Sequence, residues 1–276
     1  MVDMDRRATI PPRNHFVTMP SDTSQRPAAD SDIHLSDCQW LVFDAVGTLI
    51  DPDPTVAVAY HSVGSRFGSQ FRVEDVGPRF RAAFRGSELD GFPGGPPAAG
   101  RGITSDAIEE ARWRWIVRQV FSDVRDQEGC FRELWDHFAR PSSWRCFADV
   151  GDALAQFAQA GYKLAIASNF DIRLHSVCDF LPAMRPIGRR VVSATVGFRK
   201  PAPEFYAAVI QACGCDPRQI LMIGDNHEYV VLAPRATGLQ ALHLDRSRPS
   251  GGTDRLTSLT ELAERLSGQA RQIGRT

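Results

Sequence analysis

Apolar residues follow two different periods along this chain, and the change between them divides it. From Gln39 to Phe43 the run is short, apolar at successive positions and free of helical spacing, which predicts a strand buried on both faces. From Val56 the spacing turns helical. Val56, Ala59, Tyr60, Val63 and Phe67 fall on one stripe, and Val76, Phe80, Ala83 and Phe84 on a second. Trp113, Ile116, Val117, Val120 and Phe121 make a third, with Thr104 or Ser105 as its expected N-cap, and Phe131, Leu134, Trp135 and Phe138 a fourth. No strand candidate interrupts residues 55–140, and the aromatic stripes read as the core of a helical block. Between the second and third stripes lies a Gly/Pro loop, residues 91–102. It reads as a linker or as a lid fragment with Arg101 as an anion contact.

From Ser142 helices and strands alternate. Val150, Leu154, Phe157 and Ala158 form a stripe that Gly161 ends. Strands are expected at 163–167, 191–194, 219–223 and 239–244, and helices at 171–180, 203–213, 225–237 and 256–266. Such alternation predicts a parallel sheet wrapped by helices, and the 39–43 strand, whose neighbours are helical, must join it. The expected fold class is α/β, a doubly wound (Rossmann-like) parallel sheet core with an inserted all-helical cap. The core takes 38–54 and 142–268, and the cap 55–141. A disordered N-terminal tail (1–37), rich in Pro, Ser, Asp and Arg, and a C-terminal tail (269–276) flank them. Asp51-Pro-Asp-Pro54 reads as a stiff exit that ends extended structure.

Composition narrows the partners. With 43% hydrophobic and 24% charged residues in a length of 276, a sizeable core can be buried. A net charge of -1 leaves no bulk attraction for nucleic acid or a membrane surface, and no apolar run approaches the ~20 residues that cross a bilayer. The six cysteines are scattered and no secretory signal is evident, which points to reduced thiols in a cytoplasmic protein. Cys213-Gly-Cys215 has no matching second pair, which sets zinc aside. Oligomeric state is left open.

Polar residues collect where strands end. Asp44 follows the first strand, with Gly47 and Thr48 close behind; Ser168-Asn169 end the second; Gly224-Asp225 end the strand at 219–223; and Lys200 opens the 203–213 helical segment. Taken singly, each has a structural explanation: Ser168 or Asp171 caps a helix, Lys200-Pro201 enters one, and Asp225 caps another. Parallel strands, however, bring their C-terminal ends to one edge. There a carboxylate nucleophile, a hydroxyl, an ammonium and a second carboxylate would meet, with a divalent cation between Asp44 and Asp225 drawing in a phosphate. Gly47 would bring backbone N–H groups close to the same point.

The order Phe43-Asp44-Ala45-Val46-Gly47-Thr48-Leu49, then Ile166-Ala167-Ser168-Asn169, then Arg199-Lys200-Pro201, then Ile223-Gly224-Asp225, resembles the haloacid dehalogenase-like hydrolase superfamily, helical-cap subgroup. The resemblance covers residues 39–266. It implies a Mg²⁺-dependent phosphatase acting on a small phosphorylated metabolite. Asp44 would form an aspartyl-phosphate, Ser168 and Lys200 would bind phosphate, and Asp44, Asp225 and the Val46 carbonyl would hold Mg²⁺. Gly47, Thr48 and Asn169 would line the substrate. Two departures stand out. Family phosphatases carry an acid/base Asp where this chain has Val46, a loss of about 10²–10⁴ in rate. A further acid usually follows the fourth motif, where Tyr229 and Val230 stand, with Glu228 and His227 as candidate substitutes. The alternatives are a catalytically impaired binding protein and a metal-independent dehalogenase, whose halide leaving group needs no proton.

Overall fold

The apolar run at Trp40 lies in the middle of a six-stranded sheet, which is why it shows no alternation: both of its faces are covered. The computed structural model describes residues 35–89, 91–97, 100, 102–247 and 252–273. The expectations for residues 1–34 and for Arg101 lie outside them. The chain begins with β1 (Trp40–Phe43), β2 (Ile50–Pro52) and the helices α1 (Val56–Arg66), α2 (Val73–Leu89), α3 (Asp106–Val120) and α4 (Gln127–Ala139). It returns through β3 (Trp144–Cys146), α5 (Val150–Gln159), β4 (Lys163–Ser168), α6 (Arg173–Phe180), β5 (Arg189–Val192) and α7 (Ser193–Val196). Then follow α8 (Pro203–Cys213), β6 (Ile220–Gly224), α9 (Ala233–Ala236), β7 (Gln240–Leu244), β8 (Arg255–Leu256) and α10 (Leu259–Ile273).

The sheet order is β5-β4-β1-β6-β7-β8, and every pairing in it is parallel. Successive side chains point to opposite faces. Leu41 and Phe43 enter one core layer with Leu154 and Phe157 of α5 and Leu259 and Leu262 of α10. Trp40 and Val42 enter the other with Phe205, Tyr206 and Val209 of α8. The α/β architecture is therefore as the sequence pattern predicts. The insert has its own core, in which Tyr60, Ile116, Val120, Phe121 and Phe131 are buried. Ser105 is the N-cap of α3, accepting a bond from the Ile108 N–H at 3.2 Å.

Several boundaries move. Extended structure ends within Asp51-Pro-Asp-Pro54 as expected, but after a second strand: Ile50 to Pro52 pair antiparallel with Cys146 to Trp144, a ribbon at the root of the insert. A two-stranded ribbon is all edge, so Pro52 has a place in it despite lacking a donor. The strand expected at 191–194 stops at Val192, because the Ser193 hydroxyl bonds both the N–H and the carbonyl of Phe170, each at 3.1 Å, and the chain turns into α7. The helix expected over 225–237 is a π-helical turn, Glu228–Leu232, followed by α9. Leu256 closes β8 rather than opening a helix, and α10 continues to Ile273, into the stretch assigned to a tail. At the other end Leu35–Asp37 form a 3₁₀ turn with Leu35 buried.

Gly64 in α1 faces the Phe121 ring so closely that a Cβ would overlap it. Helix propensity favours Ala over Gly by about 1 kcal/mol, but overpacking a fixed ring costs about 1–3 kcal/mol. Gly64→Ala should therefore destabilise the insert on denaturant unfolding. Gly268→Ala, in open space on α10, should stabilise by about 0.5–1 kcal/mol. Two shifts of the same sign would contradict this packing.

Candidate active site

Because β1, β4 and β6 are neighbours and parallel, their C-terminal ends meet on one sheet edge. Asp44, Ser168 and Asp225 stand there, and Lys200 reaches in from the segment before α8. The Lys200 Nζ lies 2.7 Å from Asp44 Oδ2 and donates to the Ala167 carbonyl at 3.0 Å. Its side chain is 1% exposed and that of Asp44 13%. The other Asp44 oxygen, Oδ1, accepts the Ala45 N–H at 2.7 Å. Ser168, at the end of β4, is buried. Asn169 spends its amide on Lys200: Oδ1 accepts the Lys200 N–H at 2.7 Å and Nδ2 donates to its carbonyl at 3.0 Å. That clamp makes Asn169 a positioning residue for the lysine.

Thr48 has a similar part beside Asp225. Its hydroxyl, fully buried, accepts the Asp225 N–H at 3.2 Å and donates to Asp225 Oδ1 at 3.4 Å. Gly47 does not offer its N–H to a ligand, as the sequence suggested. That N–H donates to the Ile50 carbonyl at 2.9 Å, and the Thr48 N–H to the Ala45 carbonyl at 3.3 Å. What requires glycine is a φ of 80° together with the nearness of Asp225, whose carboxylate a Cβ would overlap. Burial raises the Asp225 pKa, and the neighbouring Asp44 raises it further, against a backbone hydrogen bond, Lys200 and Thr48. Two carboxylates thus stand near one ammonium, Asp44 paired with the buried Lys200 and Asp225 more open to solvent.

The family description "haloacid dehalogenase-like hydrolase" matches residues 38–238 of this chain. The chain belongs to that family. Among its relatives, "Haloacid dehalogenase-like hydrolase domain-containing protein 3" of Danio rerio is 25% identical over 214 residues, covering 75% of this chain and 85% of the relative. A "Phosphoglycolate phosphatase" of Mesorhizobium japonicum is 29% identical over 240 residues, covering 82% and 95%. Among solved structures, an L-2-haloacid dehalogenase from Xanthobacter autotrophicus superposes with a TM-score of 0.65 at 16% identity, covering 84% of this chain and 99% of that one. No helix among the described residues is long and apolar enough to cross a membrane.

In this hydrolase the helical insert is tied to the loop that carries Lys200. The Arg199 N–H donates to the Gly102 carbonyl at 2.8 Å and the Thr104 N–H to the Gly197 carbonyl at 3.0 Å, with an antiparallel bridge between Ile103 and Phe198. One Glu88 oxygen lies 3.4 Å from both Arg199 and Arg112. Burial, with Arg199 adding to it, lowers the Arg112 pKa to about 10. The Gly/Pro loop therefore ends as a seam against the site, which its composition did not reveal.

Val46 faces a cavity of about 280 Å³ between insert and sheet edge. Phe80, Phe84, Trp113 and Trp135 from the insert line it, with Asn169 and Phe170 from the sheet side. The aromatic stripes read as core thus also wall a cavity. Val230 is buried against Gly224, where a Cβ would come within 2.6 Å of its methyl group. Glu228 is exposed, and the His227 ring stacks edge-on to His243 with centroids 5.4 Å apart.

A carboxyl whose folded pKa is raised favours the fold at low pH and loses that contribution as pH rises through the raised value. Near neutrality an ionised Asp225 is therefore a cost when no cation is added. Asp225→Asn should melt at a higher temperature than wild type at pH 7 in chelator, with the gap closing as pH falls towards the ordinary carboxylate range. A gap independent of pH would contradict the electrostatic origin.

Proposed function

We propose that this chain is a Mg²⁺-dependent phosphohydrolase that works through an aspartyl-phosphate on Asp44. One observation carries the reading: two carboxylates face one ammonium, so the site alone holds an excess negative charge and would repel a phosphate. A divalent cation reverses that sign. The donors suit magnesium, since the Asp44 and Asp225 carboxylates and the Val46 carbonyl are all oxygen, and Mg²⁺ keeps waters to complete its shell. When bound, it would neutralise the carboxylates and polarise the phosphoryl oxygens.

The protein groups divide the remaining work. Asp44, its Oδ1 fixed by the Ala45 N–H and its Oδ2 by Lys200, attacks phosphorus. The new Asp44–phosphorus bond forms as the bond to the leaving oxygen breaks. Lys200 and Ser168 hold the transferring oxygens as their charge redistributes. Asn169 and Thr48 orient Lys200 and Asp225 through the bonds described above. Water then cleaves the acyl phosphate and restores the carboxylate. Residues 55–141 act as the cap that closes over the substrate, a small phosphorylated molecule. Val46 supplies no proton to the leaving oxygen and takes none from the water. Turnover is therefore slow for alkyl phosphates and least impaired for esters with stabilised leaving groups. A metal-independent dehalogenase would leave the Asp225 charge without a purpose. The apolar character of Val46 and Val230 favours a second reading, a binding protein of the same fold with lost chemistry.

With p-nitrophenyl phosphate, release should depend on Mg²⁺ and vanish in Asp44→Asn. A burst followed by slow turnover should appear in wild type. Val46→Asp should raise steady-state turnover at least about tenfold, a part of the range for a restored acid/base. No release above the Asp44→Asn control would favour the binding protein.

A further inference from the structure

We propose that the cavity beside Val46 seats an uncharged aromatic ring, the leaving group of the substrate. The proposal rests on the phosphohydrolase reading for what the ring is attached to, and on the cavity alone for the ring itself.

Size comes first. A dry cavity of about 150 Å³ takes benzene, so the 280 Å³ here accommodates a substituted or fused ring. Shape and surface follow. Planar side chains wall it on the insert side, Phe84 and Trp113 from two different helices, and offer faces and edges for stacking.

Polarity decides against a sugar or polyol. The charged groups that line the cavity are Asp171 and Arg173, and they answer each other. Arg173 donates to both Asp171 oxygens at 2.8 and 2.7 Å. A third guanidinium nitrogen donates to the Trp135 carbonyl at 3.0 Å, and the guanidinium carbon sits 3.4 Å from the centroid of the Trp135 ring. Apart from the Tyr60 hydroxyl and the Asn169 amide, the latter bonded to Lys200, hydroxyls of a polar ligand would meet apolar walls and lose their water without replacement. A carboxylate or second phosphate would meet a cation that is already neutralised.

The chemistry at Val46 agrees independently. An alkoxide leaving group needs a proton at the moment of bond cleavage, and Val46 has none to give. An aryloxide, whose conjugate acid has a pKa near about 10 as in tyrosine, departs with the electron pair of the broken phosphorus–oxygen bond on its oxygen. It takes its proton later from water. The replacement of an acid by Val46 and the aromatic walls of the adjacent cavity therefore select the same class, aryl phosphates.

The test separates ring binding from turnover. Binding of 2-naphthol and of myo-inositol is measured by calorimetry on the full chain, wild type and two variants. Val56→Trp fills the cavity from the start of α1, and Val58→Trp places the same ring on an exposed position of that helix. Wild type and Val58→Trp should bind one naphthol and no inositol, and Val56→Trp should weaken naphthol about tenfold or more. Should Val56→Trp fail to fold, Phe84→Leu, which removes one ring wall, must weaken naphthol instead. Absence of naphthol binding, or a folded Val56→Trp with unchanged affinity, overturns the proposal. Steady-state kinetics with Mg²⁺ then compare 2-naphthyl phosphate with glycerol 3-phosphate, where kcat/KM should favour the aryl ester about a hundredfold. Naphthol binding without turnover of either ester upholds the aromatic site and overturns the phosphohydrolase reading. Turnover of both esters alike, without naphthol binding, does the reverse.

Discussion

Lys200 carries its ammonium to a point that water barely reaches, and the surrounding structure is arranged to answer that charge. Asp44 supplies the counter-charge and the Ala167 carbonyl a second oxygen. Breaking a buried pair of this kind by removing one partner costs about 3–5 kcal/mol, so the geometry is held as much by electrostatics as by packing. The pair also explains why β1 and β4 must be adjacent: Asp44 follows one strand and Ala167 lies near the end of the other, in register. Asn169, just past β4, clamps the lysine backbone from the same edge. A second carboxylate, Asp225, comes from β6 on the other side of β1. Its pKa is raised by burial first and by the nearby Asp44 second, with Lys200 and Thr48 acting against them.

The same lysine couples the sheet to the helical insert. Its neighbour Arg199 bonds the insert at Gly102 and lies near Glu88, which also faces the buried Arg112 of α3. A shift of the insert is thus felt one residue from the ammonium. Charge in this seam is matched, two guanidinium groups against Glu88 and Glu109, so it holds position without adding a binding site of its own.

The strands, their order of polar ends and the helical block were legible because each rests on local period or on a run of residues that chemistry constrains together. Asp44, Lys200 and Asp225 converge because parallel strands share an edge, a rule that needs no contacts to apply. What the sequence hid depends on long-range hydrogen bonds. Nothing local says that the Thr48 hydroxyl serves Asp225, that the Gly47 N–H is taken by Ile50, or that Asn169 belongs to Lys200 across 31 residues. The β2–β3 ribbon escaped notice for the same reason, since its partners are far apart in sequence. Phe80, Phe84 and Trp113 lie on the expected stripes, but periodicity shows which side of a helix turns inward. It does not show whether the space there is filled.

That unfilled space changes the meaning of Val46. On the sequence alone, its place two residues after Asp44 reads as a loss, an acid removed from a phosphatase. In the structure it is one wall of a mostly apolar cavity that has aromatic rings among its other walls and a charged pair that is self-satisfied. A carboxylate there would lie against apolar walls, which favour its protonated form. The valine and the rings are therefore consistent with each other, as an aromatic ligand would require of an enzyme or of a binding protein of this fold. The agreement between an undemanding leaving group and a ring-shaped space bears on the first bond cleavage; water must still attack the acyl phosphate, and Val46 offers it no base.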